Sequence, residues 1–64
     1  MLNNLREIRK QKGMTQEALA AFSGVNRVSI AKYETGKSCP GLKTAEKLAS
    51  ALGVTVDELI GKAG

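Results

Sequence analysis

The 64 residues carry ten Lys and Arg against six Asp and Glu, a formal net charge of +4, with one cysteine and no histidine. That length makes one small domain, 1–64, of the kind that buries only about 60% of its unfolded surface on folding. Cys39 alone cannot close an intrachain disulfide, Cys/His zinc sites are excluded by count, and a lone thiol fits a reducing compartment.

The first ten residues already hold Arg6, Glu7, Arg9 and Lys10, unlike a signal peptide. The longest stretch free of charge is nine residues, at 18–26 and again at 48–56, well short of the ~20 that span a bilayer. The expectation is a soluble, cytoplasmic protein. Its charge is uneven. Residues 1–37 hold seven basic groups and three acidic ones, whereas 38–64 balance at three of each, so all the excess lies in the first part of the chain. A one-sided basic field suits a polyanion partner.

The apolar periodicity is helical throughout. Leu2, Leu5, Ile8 and Arg9 share one face of a first helix that starts near Asn3 or Asn4 and ends at Gly13. Thr15 is a natural N-cap for a second helix, with Glu17 well placed for its dipole and Gly24 at its end. Asn26 caps a third helix, which Gly36 closes. Pro40 interrupts the loop that follows. A fourth helix starts at Gly41, with a predicted buried stripe of Leu42, Ala45, Leu48, Ala49 and Leu52, and Gly53 closes it. Thr55 and Glu58 have capping-box spacing for a short fifth helix bearing Val56, Leu59 and Ile60, up to Gly61. The prediction is a compact all-α domain of five helices.

Only Gly24, Val25 and Asn26 separate helices two and three, so the two must cross steeply. Ala20 is small enough to allow the approach, Gly24 is free to take positive φ, and Ile30 can plug the angle. This is the recipe for a helix-turn-helix. With Thr15-Gln16, Leu19-Ala20, Gly24-Val25, Ile30, Glu34, Gly36, Pro40 and the run LASALGVTVDELI (48–60), the sequence resembles the Cro/repressor-type helix-turn-helix proteins, the XRE family, over essentially its whole length. The resemblance implies a lambda repressor-like DNA-binding fold whose third helix lies in the major groove.

Carried over by position, the resemblance makes Arg27, Val28 and Lys32 base readers, with Ser29 close to bases or backbone. The chemistry agrees: Arg27 and Lys32 can donate to guanine O6 and N7, and Val28 can pack on a thymine methyl. Gln16, Asn26 and Lys37 match backbone-contact positions, Gln16 at a helix start that favours a phosphate, and in the family its side chain often braces the recognition helix as well. The positions of Arg9 and Glu34 form a structural ion pair in the family. Tyr33 is expected at the edge of the core. Phe22, where the pattern is usually polar, either folds back on the core or marks a protein contact. Gly41 departs from the family's better cap at that position.

Catalysis has little support: without histidine there is no Ser-His or Cys-His pair, and Asp57 and Glu58 are adjacent on a short helix and point apart. No metal or cofactor is implied. The leading expectation is a sequence-specific double-stranded DNA-binding regulator, a repressor acting on a palindromic operator. It would act as a weak homodimer through Val56, Leu59 and Ile60, helped by the loop from Leu52 to Thr55. The rivals are an antitoxin-like module with a toxin protein as partner, Phe22 being the first suspect for that contact, and an interaction module without DNA binding. The basic Arg27 and Lys32 count against the latter.

Overall fold

The computed structural model of the chain describes residues 4–60, less the side chain of Ile60. Five α-helices account for most of them: α1 Leu5–Gln11, α2 Gln16–Ser23, α3 Arg27–Thr35, α4 Leu42–Leu52 and α5 Val56–Ile60. Among the described residues there is no strand. Leu2, Asn3 and Gly61, which the periodicity assigned to helix faces or ends, lie outside the described residues, as does the expected interface side chain of Ile60.

Local chemistry sets the helix ends. The Thr15 hydroxyl accepts the Ala18 N–H at 3.0 Å, and Asn26 Oδ1 accepts the Val28 N–H at 2.7 Å. Thr55 and Glu58 cap each other: the Glu58 N–H donates to Thr55 Oγ1 at 3.1 Å, and the Thr55 N–H donates to Glu58 Oε1 at 3.4 Å. Helices α1 and α4 are exceptions, α4 because its cap residue, Gly41, has no side chain to offer. Asn4 holds its cap position but has helical backbone angles and makes no side-chain cap bond. A capping side chain reaches the first amides from an extended backbone. Asn4 Nδ2 instead donates to the Glu58 carbonyl at 3.1 Å, tying the start of α1 to α5. The helix ends at Gln11, two residues before Gly13.

Each helix supplies one fully buried side chain to a shared centre: Leu5, Leu19, Ile30, Leu48 and Leu59. Val25 from the turn, with Ala49 and Leu52, completes the cluster, and Tyr33 packs at its edge. Burying a Leu or Ile fully contributes about 1.5–3 kcal/mol, so these five hold the bundle together.

Two expectations need correction here. Leu42 is not in the buried stripe; it is 71% exposed, while Ala45, Leu48, Ala49 and Leu52 are buried. It has the right phase but is the first residue of α4, at the end of the stripe, where no core residue covers it. Leu59 is not a dimer contact, because it is 0% exposed and belongs to the core. The supporting loop loses Leu52 on the same ground, at 3% exposed. A five-residue helix has to spend its best apolar side chain on its own docking. Val56 is half-buried against the same core.

Candidate nucleic-acid interface

Helix α3 has two unlike sides. Ile30 is buried in the angle with α2, and Tyr33 leans on the core. On the other side Arg27, Val28 and Lys32 are exposed, Val28 to 55%. Ser29 is half-buried between the two. An exposed valine flanked by two cations has no role in packing this domain, and it sits in the first turn of the helix. Asn26 begins that turn, exposed, with its Oδ1 committed to the cap. Lys37 is exposed just past Gly36, which closes α3 in the left-handed conformation at φ 79°. Asn26 and Lys37 therefore mark opposite ends of a nine-residue helix, a span of about 13 Å.

The orientation of α3 is fixed by a polar knot joining three helices. Arg9 of α1 presents its guanidinium edge to Glu34 of α3, Nε to Oε2 at 2.7 Å and Nη2 to Oε1 at 3.3 Å. Arg9 Nη1 donates to the Met14 carbonyl at 2.7 Å. Gln16, first residue of α2, donates from Nε2 to Glu34 Oε1 at 3.0 Å. The Arg9 and Glu34 side chains are 10% and 4% exposed, so little water competes for the pair. Burial alone would raise the Glu34 pKa. The hydrogen bonds from Arg9 and Gln16, with the charges of Arg9 and Arg6, outweigh it and hold the carboxyl below its usual range.

The turn between α2 and α3 rests on Gly24, at φ 75°. A Cβ there would meet no atom within 4 Å, so the backbone conformation, not space, calls for glycine. The Met14 carbonyl is the one member of the knot that sequence reading missed, and a backbone acceptor leaves no mark in the residue type. Gln16 has one amide hydrogen committed to Glu34, which leaves its second amide hydrogen and the free N–H groups of the α2 start to meet an anion. Helix α5, with Val56, packs on α1 and α4. Phe22 does not fold back: it is 71% exposed. Among the described residues no group of His, Cys, Asp and Glu could hold a metal ion, and no helix is long and apolar enough to cross a membrane.

The model of the helix-turn-helix family matches residues 5–59, which takes in all five helices. The chain belongs to the helix-turn-helix family. It is 45% identical over 56 residues to the SPbeta prophage-derived uncharacterized HTH-type transcriptional regulator YonR of Bacillus subtilis, covering 88% of this chain and 52% of the relative. It is 38% identical over 56 residues to the HTH-type transcriptional activator BcrR of Enterococcus faecalis, covering 88% of this chain and 28% of that protein. It is 36% identical over 58 residues to the cryptic phage CTXphi transcriptional repressor RstR of Vibrio cholerae, covering 91% and 52% respectively. The chain thus spans about half the length of YonR and RstR and under a third of BcrR.

Proposed function

We propose that this helix-turn-helix chain is a cytoplasmic, sequence-specific regulator that lays α3 in the major groove of an operator. The exposed first turn of α3 carries the reading: Arg27 and Lys32 flank a 55%-exposed Val28 on a helix clamped from behind by Arg9, Gln16 and Glu34. Arg27 takes guanine O6 and N7, Lys32 a neighbouring acceptor, and Val28 a thymine methyl. Ser29, half-buried, reaches bases or backbone. Asn26, Lys37 and the N–H groups at the start of α2 beside Gln16 hold phosphates and set the register. Nothing in this chemistry is catalytic.

Repression follows if the occupied operator overlaps a promoter. Relatives include both a repressor and an activator, so the direction depends on where the operator lies. One recognition helix reads few base pairs, and two copies on half-sites about 34 Å apart supply the rest. Among the described side chains, the half-buried Val54 and Val56 are the apolar surface left for such a contact near α5. A weak homodimer that tightens on DNA is the expected assembly.

Selection from a random duplex library tests the reading. An enriched palindrome supports it, and no enrichment overturns it. The 71% exposure of Phe22 favours one second reading, an antitoxin-like chain that also binds a protein partner. In that case a Phe22→Ser variant would keep operator binding and lose the partner.

A further inference from the structure

The excess charge of the chain lies in residues 1–37, and the reading above uses only Arg27, Lys32 and Lys37 of it. Arg9 is neutralised by Glu34. Arg6, Lys10 and Lys12 remain, on α1 or at its C-cap, and all three are exposed. No carboxylate of a described residue lies within ion-pair distance of them. For the isolated protein this arrangement is unfavourable. Arg6 and Lys10 are four residues apart on one helix, a spacing at which like charges repel. Arg6 also sits in the first turn, where the helix dipole disfavours a cation.

Their position on the bundle gives them a use. At about 3.6 residues per turn, Arg6 lies about 60° around α1 from Arg9 and Lys10 about 40° further on, between Arg6 and Glu7, both away from Ile8. Arg9, next to Arg6 around the helix, bonds the end of α3 at Glu34, and Glu34 holds Gln16 at the start of α2. Arg6 is close enough for its charge to act on Glu34. The basic flank therefore adjoins the start of α2, the helix end assigned above to a phosphate.

We infer that the Arg6–Lys10 flank of α1 is a second DNA-contacting surface, a ridge that follows the phosphate backbone beyond the base pairs read by α3. The inference rests on the DNA-binding reading proposed above. Two long side chains meeting phosphates carry no base preference. They widen the footprint and steepen its salt dependence.

The test titrates wild type and the Arg6→Gln/Lys10→Gln double variant across salt on two duplexes. One ends at the outermost base pair of the selected site; the other extends it by about one helical turn (~10 bp) on each side. On the extended duplex the log–log slope of the variant is expected to be shallower by about 2 per bound protomer, with affinity at least about tenfold weaker at physiological salt. On the trimmed duplex the difference should largely vanish, and base preferences should be unaltered on both. Equal slopes on the extended duplex, or the same loss on both duplexes, would overturn the ridge. Glu46→Gln raises the net charge by one at an exposed position on a different helix, α4, and should leave the slope unchanged; a slope steeper by about one would assign the effect to overall charge instead. Arg6 and Lys10 are both exposed and their charges repel each other, so the double variant should melt at or slightly above the wild-type temperature. The two possible failures separate cleanly. No preferred sequence with wild type sinks the DNA-reading proposal and the ridge with it, whereas equal slopes with the preference intact sink the ridge alone.

Discussion

At the residue scale, the Arg9–Glu34 pair is where stability and function meet. Exposed ion pairs contribute about 0–1 kcal/mol, while breaking a buried one can cost about 3–5 kcal/mol. With side chains 10% and 4% exposed and three donors converging on the carboxylate, Glu34→Gln should fall toward the upper range, at about 3 kcal/mol. In a domain of this size that lowers the melting temperature by more than about 10 °C. Thermal melts without DNA check it, and unchanged melting would mean the knot is incidental. The lowered Glu34 pKa adds a pH signature. A carboxyl that ionises more readily in the folded than in the unfolded state stabilises the fold above its unfolded pKa. That contribution is lost as pH falls through the folded pKa. Wild type should therefore lose stability below the usual carboxylate range, and Glu34→Gln should lack that part of the loss. Arg27 and Lys37 separate reading from holding. Arg27→Ala should cost about 1–3 kcal/mol on the operator and little on random DNA, while Lys37→Ala should weaken both alike.

At the element scale, helix ends were legible because caps are local chemistry. Thr15, Asn26 and the Thr55–Glu58 pair each bond amides within three residues, so their spacing in the chain is already their geometry. Which apolar positions are covered was less legible. Periodicity gives the face of a helix but not where its cover stops, so Leu42 passed for core. On α5, Val56, Leu59 and Ile60 were equally suited to the core by residue type, and only the packing shows that Leu59 is fully buried there. Asn4 misled for a related reason: its residue type suits a cap, but its backbone is helical and its amide goes to the Glu58 carbonyl. The Asn26 cap can be separated from its proposed DNA contact. Asn26→Ala should lower stability by about 1 kcal/mol and also weaken DNA binding. Asn26→Ser keeps an equally good cap with a shorter reach, so it should restore the melting temperature but not the affinity. Gly24→Ala forces a Cβ into the left-handed region and should cost about 1–2 kcal/mol even though space is free. Melting of the DNA-free variant reads this directly.

At the scale of the whole molecule, five short helices share one small core, and the charged surface is left to do the recognising. A dimer contacting DNA through Arg27, Lys32 and Lys37 implies a log–log salt slope of about −5, deepening to about −9 on long duplexes if Arg6 and Lys10 join. Affinity that is flat from low to physiological salt would contradict both. Sedimentation at several concentrations, with and without a palindromic duplex, should show mostly monomer alone and two chains per duplex at saturation. The central claim is that the exposed first turn of α3 reads bases. Its most direct test measures wild type and Arg27→Ala on the selected operator and on a panel of single base-pair substitutions. The account predicts that wild type discriminates at the position facing Arg27 by about 1–3 kcal/mol and that Arg27→Ala loses discrimination there alone. Discrimination retained unchanged at every position by Arg27→Ala would contradict it.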